Sequence, residues 1–257
     1  MQQLKKIISN KYLMFLYGTL FIFVIWQILS LCLGELTVPS PISTIRLAFE
    51  YLGQAYTYQC LGYSLLRMLL GFAIAFGIAF LLGIIVNDSE KLYQFFTPTM
   101  TFFKAIPTAA LVFIFIVITT AQEAPILVVA LIAIPILYEA IVGGLKNTEK
   151  DILESAEVDG AKKFKRVFKV RLPMAIPYII IGMVSAFSLS FKIEIMAEVI
   201  TGSTENGIGS LIKGAMGSSI DMTPVFAYSF IAVVLMLVIT LVAYIITQHL
   251  KKKQIID

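Results

Sequence analysis

The chain has 257 residues, of which 59% are hydrophobic and 14% are charged, and its formal net charge at neutral pH is +4. This composition leaves too little polar surface to cover a water-soluble globular protein, which excludes soluble enzymes and soluble binding modules. Cys32 and Cys60 are too few for a disulfide framework and lack metal-ligand spacing, so we expect no metal site. The composition predicts an integral membrane protein with one membrane domain over residues 1–257.

Six apolar runs predict membrane-spanning α-helices, because about 20 residues at a rise of 1.5 Å each cross roughly 30 Å of hydrocarbon. The predicted spans are approximately 13–33, 62–86, 97–120, 125–145, 173–193 and 224–248. Only residues 121–124 separate the third span from the fourth, so we expect a tight outer turn there. The first run is longer than the core of a secretion signal, and we expect it to remain as the first span.

The basic residues predict the orientation, since cytoplasmic loops of membrane proteins retain Lys and Arg. With both termini in the cytoplasm, the basic residues of the tails and inner loops are Lys5, Lys6, Lys11, Lys91, Lys146, Lys150, Lys162, Lys163, Lys165, Arg166, Lys169, Arg171, Lys251, Lys252 and Lys253. Only Arg46 and Lys213 then fall in outer loops. The positive net charge follows from this topology, and we expect no binding of nucleic acid.

The segment 146–172 is the one large inner loop of the predicted topology. Its first part, 151–158, favours a helix, Gly160 permits a bend, and 161–170 resumes a helical pattern. This arrangement predicts two short helices able to bind a soluble partner. The alternative is an amphipathic linker lying on anionic lipid, which the basic residues favour and the acidic residues in the first half oppose.

A motif in this loop, Glu154-Ser155-Ala156 followed by Gly160 and then by Leu172-Pro173, resembles the EAA signature of permease subunits of ABC importers. Motifs over about 38–250 are similar to the branch that imports aliphatic sulfonates, taurine, nitrate and thiamine precursors. These motifs are Val38-Pro39-Ser40-Pro41, Ser64 to Arg67 with Gly71-Phe72, the Ile106-Pro107 turn, Gly182, Ala197-Glu198 and Gly207-Ile208-Gly209. Their order and spacing carry the resemblance, since each motif is short.

The resemblance implies the fold of a type I, MetI-like importer permease with six transmembrane helices and a cytoplasmic coupling-helix loop at about 146–172. The residues expected to couple this loop to an ATPase are Glu154, Ser155, Ala156, Gly160, Ala161 and Phe164. Ser155 departs from the usual alanine of the signature by one hydroxyl group. Movement of the ATPase would pass through this loop and switch the permease between inward-open and outward-open states.

The resemblance also implies partners. We expect a cytoplasmic ABC ATPase dimer, a second permease subunit that is most simply an identical copy, an extracellular or periplasmic solute-binding protein, and membrane lipid. No cofactor is expected on this chain, since ATP and Mg²⁺ would be bound by the ATPase. The expected location is a bacterial cytoplasmic membrane, and the expected substrate is a small anionic or organic nutrient.

Charged residues within spans are costly and indicate function. Lys104 lies about seven residues into the third span from the inner side, and Glu139 lies at a similar depth in the fourth. We predict an ion pair between them. It is either a packing contact or part of an inner gate, and both interpretations stay open.

A second charged set lies near the outer side of the spans and is a candidate substrate path or outer gate: Arg67, Lys192, Glu194 and Glu198. Arg67 and Glu198 match the family pattern, which favours a role in the fold or in contact with the binding protein. Lys192 interrupts a stretch that is apolar in the family. It would either attract an anionic group of the substrate or pair with Glu194 or Glu198.

The glycines of the second predicted span, Gly71, Gly77 and Gly83, recur every six residues. Small residues let helix backbones approach closely in lipid, so we predict close helix packing along this line.

Two other classes of protein must be weighed. A membrane enzyme is disfavoured because the sole histidine, His249, lies beside a run of lysines at the predicted inner end of the last span. The sequence lacks a phosphate-binding Gly-x-x-x-x-Gly-Lys-Ser/Thr motif, so an ATP-driven motor would have to be a separate protein. A transporter driven by an ion gradient is the other alternative, although its usual internal repeat is absent.

Overall fold

A computed structural model describes residues 11–87, 89–147, 166–202, 206–218 and 220–252, and the regular elements in these ranges are all helical. The α-helices, in chain order, are α1 (Lys11–Leu33), α2 (Pro41–Leu52), α3 (Ala55–Asn87), α4 (Glu90–Ala105), α5 (Thr108–Ile118), α6 (Ala124–Lys146), α7 (Leu172–Thr201), α8 (Ile208–Ser218) and α9 (Thr223–Lys252). A π-helical turn, Val167–Arg171, leads directly into α7. The predicted all-α class is confirmed for these ranges.

The helices are long and apolar enough to form a multi-pass membrane protein. Within the described ranges, five stretches satisfy the requirements of a membrane span: Leu13–Leu33, Ala55–Asn87, Ala124–Lys146, Val167–Thr201 and Thr223–Ile245. Helices α4 and α5 satisfy them only together, which makes six if this pair counts as one span.

Residues 97–120 were predicted as one span containing the Ile106-Pro107 turn, and in the structure two separate helices cover this region. Helices α4 and α5 meet there at an angle of 94°. Ile106 has an extended backbone, with φ −70° and ψ 127°, and Pro107 is extended as well. Proline disfavours helical geometry in the residue before it and cannot donate a backbone hydrogen bond, which explains the break.

Helix α7 is longer than the span predicted at 173–193, since it continues to Thr201. The prediction stopped early because Lys192 and Glu194 end the apolar run. In the structure both residues lie within the helix, which ends where Gly202 adopts a left-handed conformation with φ 66°. Lys192, Glu194 and Glu198 therefore share one rigid element.

The chain divides into two compact units. The first consists of residues 1–58 and 211–233. In its described part, the Trp26 indole N–H donates to the Pro39 carbonyl oxygen at 3.0 Å. The rings of Tyr51 and Tyr228 stack with their centroids 4.3 Å apart. These contacts fix the segment between α1 and α2 and the beginning of α9 within this unit.

The second unit consists of residues 59–210 and 234–257, and its core lies where α6 packs along α7. Its largest fully buried side chains include Tyr138, Leu137 and Ile141, which lie on α6. Gly144 of α6 lets the backbone of α7 come close, because a Cβ atom at this position would lie 3.1 Å from the Ala175 carbonyl oxygen. Small residues at such contacts favour close packing of membrane helices.

Two of the three glycines of α3 that were predicted to permit close helix packing do so in the structure. A Cβ atom on Gly71 would lie 2.6 Å from the Ile126 carbonyl oxygen, and one on Gly83 would lie 2.5 Å from a methyl group of Ile141. At Gly77 a Cβ atom would meet nothing within 4 Å. Gly71 and Gly83 therefore bring α3 against α6, whereas the prediction is wrong for Gly77.

Candidate functional site

The six residues expected to contact an ATPase all belong to the segment 148–165, which lies outside the described residues. They are Glu154, Ser155, Ala156, Gly160, Ala161 and Phe164. Their role as a coupling loop stays a prediction. The structure describes the helices on either side, with α6 ending at Lys146 and α7 following the π-helical turn.

Lys104 and Glu139 form an ion pair that joins α4 to α6. Their side chains are 38% and 53% exposed, so the pair lies at the surface of the subunit. Sequence reasoning missed a second link between the same helices, in which Lys146 Nζ lies 3.2 Å from a Glu90 carboxylate oxygen. Glu90 begins α4 and Lys146 ends α6. Their positions at helix ends were the only sequence signal that could have indicated this ion pair.

Arg67 and Glu198 form the centre of a buried polar cluster. Arg67 Nη1 donates to Glu198 Oε1 at 2.6 Å. The Ser64 hydroxyl lies 2.9 and 2.8 Å from the two carboxylate oxygens, and the Gly209 backbone N–H donates to Oε2 at 2.9 Å. The carboxylate of α7 thus binds groups from α3 and from the first turn of α8.

The cluster also explains the Gly207-Ile208-Gly209 motif. A Cβ atom on either glycine would lie 2.5 Å from an atom of the Glu198 side chain. Between them, the Ile208 backbone N–H donates to the Ser64 hydroxyl oxygen at 2.9 Å. Sequence reasoning singled out these glycines but did not connect them, or Ser64, with Glu198.

A cavity of about 360 Å³ opens beside the Arg67 guanidinium group. Its lining residues are Tyr63, Arg67, Gln122, Glu123, Ile126 and Asn206. The Arg67 side chain is 11% exposed, and its charged group lies 5.9 Å from the centre of the Tyr63 ring. Gln122 and Glu123 belong to the turn between α5 and α6 that the sequence places on the outer side.

Glu194 lies one helical turn before Glu198 and is fully buried. Neither of its carboxylate oxygens has a hydrogen-bond partner in the part of the chain that the structure describes. A buried acceptor without a donor is unusual, since most buried polar groups are paired. Glu194 therefore lies one turn from Glu198, but it makes none of the hydrogen bonds that join Glu198 to Ser64, Arg67 and Gly209.

Lys192 lies on the opposite side of α7 and is exposed. Among the described residues it makes no ion pair, so the alternative in which it pairs with Glu194 or Glu198 is not observed. The exposed face of α7 also includes Tyr178, Ile181, Ser185 and Leu189. These positions recur every three or four residues, and they form one continuous stripe along the helix.

Among the described residues, no group of three or more His, Cys, Asp or Glu side chains is arranged to hold a metal ion.

Several helices that are each long and apolar enough to cross a membrane define the class of multi-pass membrane proteins. Residues 75–256 match the family described as binding-protein-dependent transport system inner membrane component, and the chain belongs to that family. The resemblance to permeases of ABC importers is thereby confirmed.

Curated relatives extend over most of the chain. It is 28% identical over 234 residues to a nitrate import permease of Synechocystis sp., which covers 86% of this chain and 83% of the relative. It is 30% identical over 243 residues to a bicarbonate transport system permease of Synechococcus elongatus, covering 90% and 86%. A putative aliphatic sulfonates transport permease of Bacillus subtilis is 27% identical over 197 residues, covering 76% and 71%.

Solved structures show the same fold. An inward-facing structure of the MetNI methionine ABC transporter has a chain that matches with a TM-score of 0.61 at 19% identity, covering 75% of this chain and 93% of that one. A chain from an amino acid ABC transporter with histidines matches with a TM-score of 0.65 at 14% identity, covering 80% and 98%. The predicted type I, MetI-like fold class is confirmed.

Proposed function

We propose that this chain is the permease subunit of an ATP-driven importer and that two copies of it enclose a path for a small anion. Each copy binds a cytoplasmic ABC ATPase through the loop at 146–172, and a solute-binding protein delivers the substrate on the other side of the membrane. Membership of the binding-protein-dependent family supports this arrangement. ATP and Mg²⁺ act on the ATPase, so this chain catalyses no reaction.

The observation that carries the proposal is the position of Lys192. It lies nine residues before the end of α7, which corresponds to a depth of roughly 14 Å below that end of the helix. An ammonium group in the hydrocarbon region costs about 3 kcal/mol even in a helix that inserts readily. An exposed lysine within a stretch long and apolar enough to cross the membrane is therefore best accommodated where its ammonium group meets water, as in a water-filled path.

The hydroxyl groups of the exposed stripe on α7 have partners within the chain. Tyr178 and Ser185 place hydroxyl groups on the same face as Lys192. The Tyr178 hydroxyl accepts a hydrogen bond from the Asn147 side chain, and the Ser185 hydroxyl donates to the Ile181 carbonyl oxygen at 3.0 Å. The charge of Lys192 is therefore the feature of this face that favours the central path between two permease copies.

The charge of Lys192 favours an anionic substrate. Arg67, the other cation of the outer level, is held by Glu198 within the subunit, whereas Lys192 has its ammonium group available on the exposed face. Three relatives are named for nitrate, bicarbonate and aliphatic sulfonates, which are all anions. We therefore assign a small anion of this kind to the path.

Uptake by cells that express the complete transporter tests this assignment. The probes are isotope-labelled nitrate, bicarbonate and methanesulfonate, each supplied alone. Replacing Lys192 by Met should reduce uptake of the transported anion at least about tenfold, the effect of losing roughly 1.4 kcal/mol of interaction. Lys192→Arg should retain most uptake, and Lys213→Met, in which an exposed lysine of α8 loses its charge, should retain all of it.

Normal uptake by a well-expressed Lys192→Met variant would contradict the role of Lys192. Failure of the unaltered transporter to take up any of the three probes would contradict the proposed anion class. An ion-gradient-driven transporter is distinguished by the energy source. Uptake that requires ATP and continues in the presence of an ionophore supports the ATP-driven importer. Uptake that an ionophore abolishes while the ATP level is unchanged supports the ion-gradient-driven transporter instead.

A further inference from the structure

Glu194 is the one group in the buried polar cluster whose hydrogen-bonding is incomplete among the described residues. Its carboxyl group is fully buried, and neither oxygen has a donor. The nearby Ser190 hydroxyl is already bonded to the Ala186 carbonyl oxygen at 2.7 Å. Glu194 therefore needs a hydrogen-bonding partner that this arrangement of donors does not supply.

The charged groups that act on Glu194 are Glu198 on its own helix and Arg67 on α3. Lys192 lies on the exposed side of α7, away from this interior. The parts of α5 and α6 that pack against this stretch of α7 are apolar, and they contribute Leu111, Val112, Val128 and Val129. A second cation is thus missing from the described surroundings of Glu194.

Glu198 already balances the charge of Arg67. Its two oxygens accept hydrogen bonds from Ser64, Arg67 and Gly209, as expected for an ionised carboxylate. A second ionised carboxylate one turn away would leave one negative charge unpaired at a fully buried position. The penalty for such a charge is several kcal/mol.

A proton on Glu194 removes both difficulties. It neutralises the excess charge, and it turns one carboxyl oxygen into a hydrogen-bond donor. The spacing of four residues places Glu194 and Glu198 on the same face of α7, where side chains are neighbours. The Glu198 carboxylate is then the acceptor for the new donor.

We propose that Glu194 is a proton-binding site of the permease, in which the neutral carboxylic acid donates its O–H to the carboxylate of Glu198. The ligand is a single proton, so no other co-reactant is needed. A metal cation fits less well, because the Arg67 guanidinium group bound to Glu198 would repel it. The proposal does not depend on the transported substrate.

The same chemical change made at two positions one turn apart tests this site. Glutamine has the shape of a neutral carboxylic acid and can donate from its amide group. Glu194→Gln should therefore leave the thermal midpoint of the full-length permease, purified in lipid nanodiscs at neutral pH, within about 3 °C of the unaltered protein. Glu198→Gln should lower it by about 10 °C, because it leaves the Arg67 charge unpaired.

Infrared spectroscopy gives an independent reading of the proton. The unaltered protein should show a carbonyl stretching band of a protonated carboxylic acid that is missing in Glu194→Gln and shifts in heavy water. Absence of any such difference would overturn the proposal. It would also be overturned if Glu194→Gln were as destabilised as Glu198→Gln, or if the midpoint of the unaltered protein rose with sodium or potassium concentration while that of Glu194→Gln did not.

Discussion

Arg67 and Glu198 are separated by 131 positions in the sequence, and Arg67 Nη1 lies 2.6 Å from Glu198 Oε1 in the structure. The Glu198 side chain is fully buried, and that of Arg67 is 11% exposed. Because the same carboxylate binds the Gly209 backbone, the pair also holds the first turn of α8. The contact therefore stabilises the interior of the second unit. Lys192, in contrast, lies on the exposed face of α7.

Removal of one partner of this pair should be more harmful than removal of both. Arg67→Met leaves the Glu198 carboxylate buried without its cation, which costs about 3–5 kcal/mol. The double variant Arg67→Met/Glu198→Met leaves no unpaired charge, so it should be more stable than Arg67→Met alone. Thermal unfolding of the unaltered protein, Arg67→Met and the double variant measures this, and a double variant no more stable than Arg67→Met would contradict a direct coupling.

The glycines of α3 provide a second prediction with an internal control. Gly71→Ala forces a methyl group against the backbone of α6, and such overpacking costs about 1–3 kcal/mol. Gly77→Ala adds the same atom in open space, so it should be neutral or stabilise the helix by up to about 1 kcal/mol. Unfolding midpoints and yields of folded protein compare the two, and similar losses at both positions would count against the packing.

The ion pair between Lys104 and Glu139 should contribute little to stability. Its side chains are 38% and 53% exposed, and pairs of this kind contribute at most about 1 kcal/mol. Lys104→Gln should therefore shift the unfolding midpoint by less than about 4 °C. A decrease in uptake without a matching decrease in stability would favour the gate interpretation, whereas a midpoint lowered far beyond this limit would favour packing.

Copurification of the ATPase with the permease tests the predicted coupling loop. Glu154→Lys reverses a charge in the EAA-like motif, and Gly160→Leu adds bulk at the predicted bend. Either change should prevent copurification of the ATPase while the permease still folds and inserts. Lys150→Gln, at the start of the same loop but outside the motif, is the control, and retention of the ATPase by both motif variants would reject the predicted contact.

The sequence was sufficient for the fold class because membrane insertion depends on the length and apolarity of local segments. It was less informative about where helices bend or end. A turn was predicted at Ile106-Pro107, but the 94° angle between α4 and α5 was not, and the span predicted to end at residue 193 continues to Thr201. A hydropathy average over a window does not distinguish the faces of a helix. A helix can continue through charged residues when each of them lies on a face that accommodates it.

For the candidate site, too, the sequence predicted some features and missed others. Arg67, Glu194, Glu198 and Lys192 could be selected from sequence because charges are rare within spans. Ser64 and Gly209 could not be assigned to Glu198, because an uncharged hydroxyl and a backbone N–H carry no such signal.

By itself, then, the sequence determined that this protein crosses the membrane several times as helices and which short motifs it shares with importer permeases. Only the tertiary structure decided which side of α7 each of Lys192 and Glu194 occupies. Two residues apart on a helix with 3.6 residues per turn, they point in nearly opposite directions. Packing of α3, α5 and α6 against one side of α7 buries Glu194 and leaves Lys192 exposed, and contacts so distant in sequence leave no trace in local composition.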